Sequence, residues 1–213
     1  MIETRSAVVL AGGYSTRFGD ADKATASLDG EPLVRRVVER VAPAVDEVVV
    51  NCRADQREAI DAALDGFDHP VSFALDPEPD LGPLAGIAAG LDAAEGTYAL
   101  VVACDMPFVA SALVSSLFER AEGHDGAVPR PDEWFQTTQA VYRTDAMAAA
   151  ARRALDEGDR RVVAPLEDLD IVVVDREAVE EHASLETFEN LNTREEFAAA
   201  QERFDGRPEG SER

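Results

Sequence analysis

The chain has 213 residues, with 43 Asp plus Glu against 20 Lys plus Arg and a formal net charge of −23. A hydrophobic share of 46% is ample for a buried core and excludes disorder of the whole chain. Such acidity excludes a general affinity for nucleic acid or anionic membrane, both of which need a basic footprint. No apolar run reaches the roughly 18 residues of a membrane span.

In chain order, Met1 to Arg5 leads into an apolar run of only a few residues. No secretory signal is expected there, and the protein is expected to be soluble and cytoplasmic. Short continuous apolar runs then recur at Ala7 to Leu10, Val48 to Val50, Val71 to Leu75, Tyr98 to Ala103 and Ile171 to Val174. Runs without strict alternation suit strands covered on both faces, as in a parallel sheet. Helical periodicity lies between them. Val34, Val37, Val38 and Val41 form one apolar stripe, and Ile60, Ala63 and Leu64 follow the second run. Leu84, Ile87, Ala88 and Leu91 follow the third, and Leu113, Val114, Leu117 and Phe118 the fourth.

Alternating strands and helices predict an α/β fold, a doubly wound and mostly parallel sheet with helices on both faces. After residue 125 the rhythm changes. Gln139 to Tyr142 reads as a further strand, set as a small antiparallel addition, and an Ala-rich helix is expected over 144–156. A last helix is expected from near Asn192, with Asn192 and Glu195 as a capping box and Phe197, Ala200 and Phe204 as its apolar face. Residues 1–204 are read as one domain, and 205–213 as a frayed tail.

Cys52 and Cys104 are too few for a disulfide framework and each follows an apolar run, so both read as small buried hydrophobes. His69, His124 and His182 are scattered, which leaves a Ser-His-Asp or Cys-His mechanism little to stand on. Lys23 is the only lysine; the other basic residues are arginine. Acidity with almost no lysine suits concentrated salt, where a Debye length of about 3 Å at 1 M screens self-repulsion. High-GC coding bias would explain the arginines but not the excess of carboxylates.

The first strand runs into Leu10-Ala11-Gly12-Gly13-Tyr14-Ser15-Thr16-Arg17-Phe18-Gly19-Asp20-Ala21-Asp22-Lys23. It is neither a Walker loop, which ends in Gly-Lys-Ser/Thr, nor a Gly-x-Gly-x-x-Gly dinucleotide turn. Two glycines directly after a strand still let backbone N–H groups wrap an anion. Arg17 adds a bidentate donor and Lys23 a point charge, as a triphosphate requires. The plain alternative is a tight turn with two solvated cations. A lone lysine placed at random would fall in a given 13-residue loop only about 6% of the time, which argues that arginine cannot substitute there.

This loop closely resembles the signature of the molybdenum cofactor guanylyltransferase family, within the wider nucleotidyltransferases. Further matches follow in order: Val50-Asn51; Asp76 with Gly82-Pro83-Leu84-Ala85-Gly86-Ile87; Cys104-Asp105-Met106-Pro107-Phe108; Gly158-Asp159-Arg160-Arg161-Val162; and Asn190-Leu191-Asn192-Thr193-Arg194-Glu195-Glu196. The similarity spans roughly residues 6–200. It implies a Rossmann-like nucleotidyltransferase fold and an enzyme that transfers GMP from GTP to the terminal phosphate of molybdopterin (molybdenum) cofactor, releasing pyrophosphate. GTP and molybdopterin cofactor are the implied substrates, and molybdoenzymes or cofactor-insertion proteins the implied partners. Phe18 and Asp20 depart from the residues usual in the family.

Ligands of open α/β sheets bind beyond the carboxyl ends of the strands. The glycine loop, Asn51, Asp76 and Asp105 follow four successive strands and so aim at one crevice. Leu10, Ala11, Gly12, Gly13, Lys23, Asn51, Asp76, Gly82 and Asp105 are the expected nucleotide-binding residues, and Arg17, Lys23 and Asp105 the expected catalytic ones. A carboxylate held after an apolar strand suits Mg²⁺, so Asp105 is the expected metal ligand; the alternative is a cap for the helix starting near Ala110. Asp76 is placed to hold base or ribose, or to stand behind the metal. Gly82, Gly86 and Gly90 fall on one helix face, where either the guanine ring or a packed strand approaches, and the resemblance favours guanine. Arg160, Arg161, Asn190 and Asn192 match the acceptor side, although an exposed arginine pair and a helix cap are ordinary alternatives.

Cytidylyl transfer to molybdenum cofactor, guanylyl transfer to cobinamide phosphate, and a non-catalytic nucleotide-binding escort are the rival readings. Gly13 stands where relatives using CTP generally carry alanine, which favours GTP. Intact Lys23 and Asp105 argue against the escort.

Overall fold

The computed structural model describes residues 4–13, 22–76 and 81–205. Its main elements begin with β1 (Arg5–Leu10), a 3₁₀ turn at Lys23–Thr25, the short strands β2 (Ser27–Leu28) and β3 (Glu31–Pro32), and α1 (Leu33–Val41). Then come β4 (Glu47–Cys52), α2 (Arg57–Ala63), β5 (Val71–Leu75), α3 (Pro83–Ala93), β6 (Tyr98–Ala103) and α4 (Ser111–Ala121). The chain continues through β7 (Gly126–Arg130), β8 (Gln139–Arg143), α5 (Thr144–Asp156), β9 (Ile171–Asp175), α6 (Arg176–Glu180) and α7 (Arg194–Asp205).

Seven strands form one sheet in the order β5-β4-β1-β6-β8-β7-β9, and β2 pairs with β3 in a separate antiparallel ribbon. β5, β4, β1 and β6 are mutually parallel, as their apolar runs predict. β8 is antiparallel to both of its neighbours, and β7 and β9 are again parallel to each other. The expected antiparallel addition is therefore β8, inserted within the sheet. The strand order reverses between β1 and β6, which creates the switch point at which such sheets take ligands.

Alternate residues of β1 serve opposite cores. Ala7 and Val9 join the face covered by α1, α2 and α4, while Val8 joins the face covered by α3 and α5. The predicted stripe of α1 (Val34, Val37, Val38, Val41) is fully buried, as are Leu113, Val114 and Leu117 of α4. A third cluster of Leu28, Leu33, Phe108, Leu191 and Ala200, with Phe197 and Phe204 against it, seats α7 on the β2–β3 ribbon. Both cysteines are buried. No helix among the described residues is long and apolar enough to cross a membrane.

One strand was not anticipated from the sequence, and one expectation needs correction. β7, Gly-Ala-Val-Pro-Arg, carries no sustained apolar run, and Pro129 cannot donate to a ladder. It is tolerated because β7 pairs with β8 only at Gly126 and Ala127, and by Pro129 that pairing has ended. The cap of α7 lies one residue later than expected. Thr193 Oγ1 accepts from Glu196 N at 3.1 Å, and Glu196 Oε2 accepts from Thr193 N at 2.9 Å and Asn192 N at 2.6 Å. The box is thus Thr193 with Glu196, which leaves the Asn192 side chain for other use. The expected tail beyond α7 lies outside the described residues.

Candidate active site

The strand ends around the switch point are laced together by backbone hydrogen bonds. Ala11 N donates to Asn51 O at 2.8 Å, Cys104 N to Leu10 O at 3.0 Å, and Asp76 N to Cys52 O at 2.9 Å. These contacts hold the residues after β1, β4, β5 and β6 at one edge of the sheet. The expected crevice residues accordingly form two adjoining groups.

The first group centres on Lys23. Its ammonium donates to Asp105 Oδ2 at 2.5 Å and to Asn192 Oδ1 at 3.1 Å. The Lys23 and Asp105 side chains are only 12% and 16% exposed, so this pair is far better shielded than a surface ion pair. Lys23 owes its position to the 3₁₀ turn that it opens. There Asp22 Oδ1 accepts from Ala24 N at 3.0 Å as an N-cap. Asp105 is held through its backbone, whose carbonyl accepts from Leu191 N at 3.0 Å. It does not cap α4, whose flanking Ala110 N instead donates to Thr187 Oγ1. The remaining Asp105 oxygen, Oδ1, is buried and has no hydrogen-bond partner among the described residues. A buried, unpaired carboxylate oxygen is costly unless something positive or protic meets it.

The second group centres on Asn51, which is buried at the end of β4. Its Nδ2 donates to Asp76 Oδ1 at 2.8 Å and to Ala74 O at 3.2 Å. Gly12 lies against the Asp76 carboxylate, and Gly86 against Asn51 Oδ1; a Cβ at either would overlap that oxygen. A Cβ at Gly90 would overlap Val8. The bodies approaching α3 at Gly86 and Gly90 are therefore side chains of the sheet, and the guanine expected there is not needed to explain those glycines. Gly82 differs: it caps α3 at φ 84°, a left-handed conformation that glycine adopts without strain, and no described atom crowds it.

The acceptor-side residues are less gathered. Asn192 joins Lys23, but Asn190 Nδ2 donates only to the nearby Phe188 O at 3.3 Å. Arg161 grips Asp159, with Nη2 to Oδ2 at 2.5 Å, and this contact holds the Asp159 carboxyl down at about 2. Arg160 and Arg161 lie just after α5, the helix that follows the reversed strand β8. Arg17, Phe18 and Asp20 lie outside the described residues. Burial, and then the charge of Asp76, pushes the Cys52 thiol up to about 11; burial also raises that of Cys104. Both thiols are neutral at pH 7 and unsuited to nucleophilic work.

Two residues escaped the sequence reading. Arg53 Nη1 donates to Gly12 O at 3.0 Å and to Gly13 O at 3.1 Å, while Gln56 Nε2 donates to Ala11 O at 3.0 Å. Both follow β4 directly, so the rule that singled out Asn51 would have reached them if carried a turn further.

A doubly wound sheet with an amide-rich turn, an ammonium and a carboxylate at its switch point defines an α/β nucleotidyltransferase. Residues 7–181 match the family described as the MobA-like NTP transferase domain, and the chain belongs to that family. A protein of Natronomonas pharaonis named "Probable molybdenum cofactor guanylyltransferase" is 50% identical over 200 residues, covering 94% of this chain and 98% of its own. One of Haloferax mediterranei with the same name is 39% identical over 199 residues, covering 93% and 94%. Halophilic archaea are thus among the sources of these relatives, as the charge balance leads one to expect. The crystal structure of "Molybdopterin-guanine dinucleotide biosynthesis protein A" from Archaeoglobus fulgidus superposes with a TM-score of 0.77 at 28% identity, covering 94% of this chain and 98% of that one.

Proposed function

We propose that this chain transfers GMP from GTP to the terminal phosphate of molybdopterin cofactor and releases pyrophosphate, acting as a molybdenum cofactor guanylyltransferase. The observation that carries the reading is the shielded Lys23–Asp105 pair beside the glycine turn. A phosphate oxygen of the acceptor attacks the α-phosphorus of GTP, and the bond from that phosphorus to the bridging oxygen of pyrophosphate breaks. With a second pKa near 6 the acceptor phosphate is already largely dianionic at neutral pH, so no general base is required. Histidine and thiolate are correspondingly dispensable.

The work left to the protein is positioning and charge neutralisation. The glycine turn offers backbone amides to the phosphates, and the Lys23 ammonium offers a compact charge of the size a phosphate oxygen accepts. Asn51 and Asp76 form a rigid polar floor beneath that turn, suited to base or ribose. Asp105 Oδ1, buried and unpaired among the described residues, is a donor of the kind Mg²⁺ takes. Magnesium bound there would supply further neutralisation of the triphosphate. Arg160, Arg161, Asn190 and Asn192 are assigned to the acceptor. The product is destined for a molybdoenzyme or a cofactor-insertion protein, in the cytoplasm.

The test is pyrophosphate release in molar salt with each of the four nucleotides, offered with molybdopterin cofactor or with cobinamide phosphate. Release with GTP and molybdopterin cofactor alone is expected. Release only with CTP, or only with cobinamide phosphate, replaces the assigned substrate; nucleotide binding without any release makes the chain an escort.

A further inference from the structure

We propose that Arg53 and Gln56 clamp the glycine turn into its nucleotide-receiving shape before any nucleotide arrives, an inference that rests on the guanylyl-transfer reading above. Gln56 is 3% exposed, and its amide bridges the two lips of the segment between β1 and Lys23. Nε2 donates to Ala11 O at one lip and, at 2.5 Å, to Asp22 Oδ2 at the other. Its Oε1 accepts from Arg53 N at 3.0 Å, so both kinds of polar atom in this buried amide are used. Asp22 in turn caps the turn that begins with Lys23.

Arg53, three residues before Gln56 and directly after β4, completes the device. One guanidinium nitrogen serves both Gly12 O and Gly13 O, while Asp55 accepts from Nε at 3.1 Å and from Nη2 at 3.3 Å and so fixes the plane of the fork. Three successive carbonyls, of Ala11, Gly12 and Gly13, are thereby drawn towards the segment after β4. A trans peptide points its N–H opposite to its C=O. Holding the carbonyls of Ala11 and Gly12 therefore turns the amides of Gly12 and Gly13 to the other side, available to an anion. Adjacent glycines are the residues whose ordering costs most entropy, and the clamp meets that cost in the folded protein instead of charging it to nucleotide binding. Arg53 and Gln56 are positioning residues: they act on the nucleotide through the backbone they hold.

The clamp predicts a selective loss. Titration of wild type, Arg53→Met and Arg53→Lys with a GTP analogue carrying a methylene between its α- and β-phosphorus atoms, in molar KCl with Mg²⁺, reads nucleotide affinity without turnover. Arg53→Met should weaken the analogue about tenfold while leaving the acceptor KM and the melting temperature close to wild type. Arg53→Lys keeps one donor and should recover part of the loss; it carries the comparison alone if the methionine variant fails to fold. Analogue affinity within twofold of wild type in the variants overturns the clamp and leaves the functional reading standing. An equal rise in acceptor KM overturns it as well, because the effect would then not be confined to the glycine turn. Failure of wild type itself to bind the analogue overturns both.

Discussion

Gly12 and Asp76 stand so close that a Cβ on Gly12 would overlap the Asp76 Oδ2 atom. The glycine is thus required by the floor of the site as well as by any phosphate above it. Alanine at this position must push the Asp76 carboxylate aside, and that carboxylate is also the acceptor of the Asn51 amide at 2.8 Å. Because Asp76 is only partly buried it has room to move, so Gly12→Ala should cost about 1 kcal/mol or less of stability. Nucleotide affinity should fall more than tenfold. Calorimetric titration beside a thermal melt checks this; unchanged affinity would separate Gly12 from the nucleotide.

Lys23 tests the charge argument. Lys23→Ala should lower turnover roughly 10²–10³-fold, as loss of a preorganised electrostatic group commonly does. Its melting temperature should fall as well, because the shielded Asp105 carboxylate loses its cation, but turnover should suffer by far the larger factor. Lys23→Arg should rescue poorly, because a longer, planar fork does not fit the shielded space that the compact ammonium fills between Asp105 and Asn192. Steady-state kinetics of the three proteins decide the matter. Full activity in the arginine variant would leave the solitary lysine without a chemical reason.

Asn192 and Thr193 are neighbours with separable duties. Thr193→Ala removes the hydroxyl that accepts from Glu196 N, and should cost about 1 kcal/mol of stability while leaving turnover near normal. Asn192→Ala removes the oxygen that accepts from Lys23 and should do the reverse, cutting turnover several-fold with little change in melting. The backbone hydrogen bonds from Asn192 and Thr193 hold the Glu196 carboxyl below its ordinary value of 4.5. Its contribution to the cap is therefore present above that value and fades as the pH falls. If the two alanine variants show the opposite pattern, Asn192 is the structural residue after all.

The thiol of Cys52 sets an alkaline limit. A group whose pKa is raised on folding contributes stability that is fully present below its unfolded value, here 9.0, and is lost as pH rises towards about 11. Denaturant midpoints of wild type should fall across this window more steeply than those of Cys52→Ala. Parallel slopes would show that ionisation of Cys52 is not coupled to unfolding.

Much of the architecture was open to reading because it is encoded locally. Apolar runs of strand length, the four valines of α1 and the Ala-rich stretch of α5 each predict an element from their own spacing, and the structure places them within a residue or two. β7 escaped because its signal was weakened by a glycine and a proline, which only its position in the sheet makes tolerable. The α7 cap shifted by one residue because Asn192 and Thr193 are both good caps, and Lys23 claims the oxygen of the first.

Composition and spacing were enough for the α/β class, the strands at whose ends polar groups collect, and the unusual status of Lys23. It takes the folded chain to bring Lys23 to Asp105 across 82 residues and to Asn192 across 169, and to set Gln56 against both lips of the glycine turn. The division has a physical cause. Periodicity and capping depend on residues a few positions apart, whereas these contacts exist only once strand order and helix docking have carried distant segments to the same edge of the sheet.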